Sequence, residues 1–255
     1  MAIRLLLLTT SGLVACGGPP RLDRTPDAVE LERLTSLAGA PPRQAWSTRG
    51  HARLSSPDGT VEGNLQAVVD LPERLRVELR SRALFGMVGE RLVLSLPGDG
   101  HLLMYRARAD ALERSPFADS ELARYLPTGS LAELHALVTG RPPWPQGRPP
   151  EDLAARTRLV GRSEDGRNLE FRVQLSSPQA VFELRLRDGV LEQWGWEGAE
   201  GRRLVVRYDR WRRWGELELP GRLRLQAPRE GMEGEILLEE IEARDGLAAA
   251  DFEVY

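Results

Sequence analysis

The side chains able to do covalent chemistry are few in this 255-residue chain, and they are badly placed for it. Ser130 and His135 are the nearest thing to a nucleophile and a base, but they lie five apart in a helix-spaced stretch, a poor geometry for proton transfer. No Gly-x-Gly-x-x-Gly, phosphate loop or Gly-x-Ser-x-Gly elbow is present. The three histidines, His51, His101 and His135, are far apart in sequence and read as surface or core residues rather than metal ligands. Glu239, Glu240, Glu242 and Asp245 offer oxygen ligands for a cation or, more simply, a solvated strand edge. Trp211-Arg212-Arg213-Trp214 has the aromatic and basic interleaving of a single-strand nucleic-acid binder. The chain as a whole, with 35 basic and 38 acidic residues and a net charge of −3, has no positive field to support that role. All the basic residues are arginine. Trp194-Gly195-Trp196 puts two indoles on one strand face, as core or cavity lining. The expectation is a non-enzyme without cofactor, metal or nucleic-acid partner.

The single cysteine is more informative. Met1-Ala2-Ile3-Arg4 precedes about ten mostly apolar residues, and Leu13-Val14-Ala15-Cys16 then resembles the lipobox of a bacterial lipoprotein signal. The apolar run rises only ~15 Å as a helix, half a hydrocarbon core, so it does not read as a stable membrane span. On this reading residues 1–15 are a signal peptide, Cys16 carries lipid, 16–25 form a linker, and 26–255 form one domain. The resemblance to sorting signals, with Gly17 rather than aspartate after the cysteine, implies the outer membrane, with the domain facing the periplasm.

The domain reads as one antiparallel sheet interrupted once by helices. Residues 26–38 carry apolar positions at helical spacing, with Thr25 as the expected cap ahead of Pro26. From residue 43 the period becomes two: Trp46, Thr48, Ala52 and Leu54, then Val61, Leu65, Ala67 and Val69, then Leu75, Val77 and Leu79 alternate with polar residues. Asp-Gly hairpin signals at 58–59, 99–100, 165–166, 188–189 and 245–246 suggest a meander. Helical spacing returns between 117 and 139, followed by a proline-rich loop to Pro150. Ten to eleven strands and three helices are expected, in a sheet long enough to curl.

One connection is unlike a turn. Between Ser81 and Glu90 the chain concentrates Leu84, Phe85, Met87 and Val88, which either insert into lipid or fold back beneath the helices. The lipobox, the N-terminal helix, the charged strand Arg74–Leu79, this apolar loop, the strand Leu92-Val93-Leu94 and the segment Tyr125-Leu126-Pro127…Leu131…Leu134…Leu137…Gly140-Arg141-Pro142 together resemble the LolA/LolB lipoprotein-localisation family. The resemblance covers most of the domain. Met87 replaces the family's usual proline before the loop's apolar residue, and the chain is longer around 141–165. It implies a mainly β fold, an unclosed barrel with an N-terminal helix and a helical lid over a cavity for acyl chains. The expected cavity residues are Trp46, Leu65, Leu75, Val77, Phe171 and Phe182 from the strands and Leu131, Leu134 and Leu137 from the lid. Leu84, Phe85, Met87 and Val88 would be the membrane-inserting loop. The implied partners are lipoprotein acyl chains or other lipid, the outer membrane, and a LolA-like periplasmic carrier, with the protein itself a monomer. The alternative is a structural or assembly lipoprotein that uses the sheet as a scaffold for protein partners.

Overall fold

The computed structural model describes residues 21–37, 45–70, 74–81, 91–120, 122–176, 179–198, 201, 203–214, 217–244 and 246–254. Cys16 with its lipobox, the apolar loop with Leu84, Phe85, Met87 and Val88, and Asp245 lie outside the described residues. No helix among the described residues is long and apolar enough to cross a membrane.

The fold is mainly β, an antiparallel sheet that does not close. The first half contributes β2 (Ala45–Ser56), β3 (Gly59–Asp70), β4 (Arg74–Ser81), β5 (Arg91–Leu96), β6 (His101–Arg106) and β7 (Ala111–Pro116). The second half contributes β8 (Thr157–Arg162), β9 (Asn168–Ser176), β10 (Gln179–Arg187), β11 (Val190–Gly198), β12 (Arg203–Asp209), β15 (Arg222–Ala227) and β16 (Met232–Arg244). Each half is close to a meander, and the Asp-Gly signals at 58–59, 99–100, 165–166 and 188–189 sit at its hairpins. A simple meander overall is not what forms. The last strand pairs with β2 along its length, from Glu233 opposite Ser55 to Arg244 opposite Ala45, so the two halves are zipped into one 14-stranded sheet. Among the described residues after Gly246 there is no strand; Ala249–Phe252 form a 3₁₀ turn instead.

The zipper contains a bulge. Between Leu238 and Glu240 one extra residue enters β16, and both Leu238 and Ile241 are buried, at an odd spacing that an unbulged strand would send to opposite faces. Gly50 is opposite this bulge: a Cβ there would stand 1.8 Å from the Leu237 carbonyl oxygen, so only glycine permits the approach.

The described residues form more strands than sequence periodicity suggests, because β1 (Arg21–Arg24), β13 (Arg212–Trp214) and β14 (Leu217–Leu219) are too short to show a period. β1 pairs with β8 at one edge of the large sheet, β7 forms the other edge, and β13 and β14 make a separate hairpin. The N-terminal helix α1 (Ala28–Ser36) starts later than expected. Asp27, not Thr25, is its cap: Asp27 Oδ1 accepts the Glu30 N–H and Glu30 Oε2 accepts the Asp27 N–H, which leaves Pro26 outside the helix. Glu30 is nearly buried and receives Arg24 at 2.6 Å and Arg162 at 2.9 Å, fastening α1 to β1 and β8.

The apolar residues of the strands face one concave side and form a continuous core with the helical segment. The hairpins 57–58, 107–110 and 228–231 turn at one end of the sheet; the turns 97–100, 163–167 and 188–189 lie at the other, where β1 also starts.

Candidate functional site: a lidded apolar cavity

The lid is built from the chain between β7 and β8. Its first part is not the helix that Leu122, Tyr125 and Leu126 suggest but two 3₁₀ turns, Phe117–Asp119 and Ala123–Tyr125. Leu126 precedes Pro127 and is extended, at φ −103° and ψ 149°, because the proline ring disfavours helical backbone in the residue before it. The helix α2 (Leu131–Val138) then begins on a capping box. Ser130 Oγ accepts the Glu133 N–H, and the buried Glu133 carboxylate in turn accepts the N–H groups of Thr128 and Ser130. Ser130 is therefore a structural cap. His135, the other half of the conceivable dyad, is buried in α2, and neither ring nitrogen has a protein hydrogen-bond partner. Burial pushes its pKa down to about 4.

Beneath this lid lies a cavity of about 470 Å³, within the ~300–1,000 Å³ range of small-ligand pockets. Its floor comes from β2 to β6 with β12, β15 and β16, and its roof from Leu122, Tyr125, Leu126, Leu134, Leu137 and Val138. Nearly every wall is aliphatic. Polar groups occur at the rim, where Ser55, Ser56 and Glu233 stand at the hairpin end of the strands. Leu54 and Met232 are at the same rim, unusually exposed for their type at 42% and 37%. Tyr125 helps tie the lid to the sheet at both its ends: Trp196 Nε1 donates to the Tyr125 carbonyl at 2.7 Å, and the Tyr125 hydroxyl donates to Met232 Sδ at 2.8 Å.

Of the expected cavity residues, Leu65, Leu75, Val77, Leu134 and Leu137 line this space. Trp46, Phe171, Phe182 and Leu131 do not. Trp46 is buried at the closed end of β2, opposite Val69, and Leu131, in the first turn of α2, packs against the core. Phe171 and Phe182 belong to the second half of the concave face, and that half is filled. Trp144, from the proline-rich segment, is buried and stacks on Phe182 with centroids 5.6 Å apart, while Trp194 meets the same ring edge-on at 5.9 Å. Trp194 and Trp196 thus divide between core and lid anchor. The proline-rich segment is a plug rather than a surface loop; its one large aromatic, between prolines, was the available sign. Leu92, Leu94 and Leu96 on β5 and Leu225 and Ile236 on β15 and β16 complete the lining, all at alternating positions of their strands.

The remaining candidates are spread out. His51 lies 3.8 Å from Glu239, Arg49 3.8 Å from Glu240, and Glu242 pairs with Arg244 at 3.2 Å. Among the described residues no group of three or more histidines, cysteines or acids is placed to hold a metal ion. Trp211 approaches Tyr208 at 6.3 Å, and Arg212 lies 6.0 Å over the Trp214 ring.

No protein-family model and no curated protein matches this sequence. Solved structures match its fold. A DUF1329 family protein from Desulfovibrio piger superposes with a TM-score of 0.54 at 12% identity, over 87% of this chain and 95% of the other. A LolA superfamily protein from Nitrosomonas europaea gives 0.50 at 10% identity over 88% and 97% of the two chains. An outer membrane lipoprotein-sorting protein domain from Vibrio parahaemolyticus gives 0.50 at 10% over 87% and 95%. The unclosed antiparallel sheet, its few helices and these superpositions establish a LolA-like fold for the chain.

Proposed function

We propose that this protein is an outer-membrane lipoprotein, anchored through Cys16, that binds acyl chains in the lidded cavity and helps deliver lipoproteins or lipids to the membrane. The observation that supports the reading best is the cavity itself, about 470 Å³ walled by aliphatic side chains beneath a lid that Tyr125 links to Trp196. Such a space exchanges hydrocarbon for poorly hydrated volume and makes or breaks no bond. Transfer onward runs downhill when the bilayer buries the chains better than the cavity does, with Leu84, Phe85, Met87 and Val88 entering the bilayer at delivery. The working partners are acylated cargo, the outer membrane and a LolA-like periplasmic carrier. A fatty-acid analogue whose fluorescence reports its surroundings tests the cavity. Saturable binding displaced by a lipopeptide supports the reading; absence of saturable binding to the folded protein overturns it. A scaffold for protein partners is the rival. It draws support from the edge strand β7, whose Leu112 is 58% exposed, and a stoichiometric co-purifying protein in place of lipid would favour it.

A further inference from the structure

The outer face of β4 and β5 carries a second built feature. Alternation sends Leu75, Val77 and Leu79 into the cavity and Arg76, Glu78 and Arg80 to the opposite side, where Arg80 stands directly across from Arg91. Glu78 is only 2% exposed, and it gathers all three guanidiniums. Its carboxylate accepts Arg76 Nη2 at 2.7 Å, Arg80 Nε at 2.5 Å and Arg91 Nε at 2.9 Å. Among the described residues it is the only carboxylate paired with any of the three. Three cations and one anion leave an excess of two positive charges, partly desolvated: the Arg76 and Arg91 side chains are 18% and 30% exposed, and Arg76 Nε is buried without a partner. Holding like charges this close is unfavourable unless a further anion joins them. The spare N–H groups of Arg80 and Arg91, fixed by their bonds to Glu78, form a fork suited to phosphate oxygens, while Arg76, paired across the strands with Ser95 under the Phe252 carbonyl, adds its charge from behind.

Position decides which phosphate. Arg80 and Arg91 are adjacent in sequence to Leu79 and Leu92, which line the cavity from the other side of the same strands. Charge beside a hydrocarbon-lined opening is the arrangement of a phospholipid at a bilayer surface, whereas nucleic acid or a soluble phosphate has no use for the apolar neighbour. We propose that Arg80 and Arg91, organised by Glu78 and backed by the more deeply placed Arg76, form a docking clamp for the headgroups of anionic phospholipids, setting this end of the sheet against a negatively charged bilayer. This holds whatever the cavity carries.

The test is co-sedimentation of the full chain with vesicles of phosphatidylcholine, alone or mixed with phosphatidylglycerol. The parent protein should prefer the mixed vesicles, and the preference should shrink in high salt. Arg80→Gln and Arg91→Gln should each lower it about fivefold, the effect of one arginine at an anionic surface. Arg158→Gln, the same charge change on β8 away from the clamp, should leave it unaltered. No preference in the parent, or equal losses from Arg158→Gln and Arg80→Gln, overturns the clamp. Arg80 is 60% exposed and Glu78 keeps Arg76 and Arg91 when it is replaced, so Arg80→Gln should lower the melting temperature by a few degrees at most and leave the affinity for a fatty-acid probe unchanged, and those two readouts separate failure of the clamp from failure of the fold or the cavity.

Discussion

Trp196 on β11 and Tyr125 in the lid are joined by the indole N–H and a main-chain carbonyl, 2.7 Å apart. The bond belongs to the roof of the cavity, since the same tyrosine lines it. Replacing Trp196 with Phe keeps an aromatic ring and removes this donor from the carbonyl, at a cost of about 1–2 kcal/mol. The melting temperature should fall by ~2–8 °C, and a bound fatty-acid probe should leave faster, as read by stopped-flow displacement. An unchanged release rate would detach Tyr125 from lid opening.

Filled and empty halves of the concave face should answer differently to substitution. Val77 borders the cavity, so Val77→Phe should occupy ligand space and weaken probe binding at least ~10-fold with little loss of stability. Phe182 sits between Trp144 and Trp194, so Phe182→Ala should cost about 3–5 kcal/mol and leave probe affinity in the still-folded fraction alone. Urea titration and probe titration of both variants check the pair.

Stability should fall in two stages on acidification. His135 has an ordinary value of 6.5 and a folded value of about 4, since burial disfavours its cation and the Asp70 charge offsets this only in part. Between those values the unfolded chain takes up a proton that the folded chain refuses, so stability drops as pH falls through this window, by about 3 kcal/mol from this group. Glu78 acts lower down. Burial pushes its carboxyl up, but bonds and charges from Arg91 and Arg80 outweigh that and hold it at about 2, so its contribution, present above 4.5, is lost as pH falls toward 2. Chemical denaturation at a series of pH values should show His135→Gln flattening the upper stage alone.

The anchor and the apolar loop are separable by mutation. Cys16→Ala should abolish lipidation and leave the protein soluble or unprocessed, as followed by flotation with outer-membrane vesicles. Phe85→Glu or Val88→Glu should keep the melting temperature yet lose vesicle binding without the lipid, because a charge is cheap in water and costs several kcal/mol in hydrocarbon. A large drop in melting temperature would instead place these residues in the core.

Period-two alternation made the strands 45–81 and 168–187 legible, and with them the concave face, because a half-buried sheet writes itself into sequence. Pairing partners are not written there. Nothing local in Ser47 or Glu242 says that they face each other across nearly two hundred residues, so the zipper of β16 on β2 went unseen. The cavity was legible only as a face. Phe182 and Val77 have the same pattern, and what separates them is Trp144, a long-range filler that arrives from a loop. Leu54 and Met232 read as ordinary apolar positions, and their exposure at the rim comes from how the hairpins end.

If Cys16 carries the proposed lipid, the place where β1 starts limits the posture of the anchored molecule. Arg21 pairs opposite Gly161, at the end of the sheet away from the rim formed by Ser56 and Met232. Only four residues lie between Cys16 and Arg21, five Cα-to-Cα steps that make a leash of at most about 18 Å, while a twelve-residue strand such as β2 is about 40 Å long. Tethered on that leash, the protein cannot stand upright and reach its own bilayer with its open end. To bring both ends to one leaflet, the strands must recline to within about 30° of the membrane plane, which follows from those two lengths. Upright, the opening of a molecule so anchored would face away from its membrane. Lengthening the leash should therefore relax the need to lie down, so tether length becomes a handle on how the molecule alternates between facing a donor and facing its membrane.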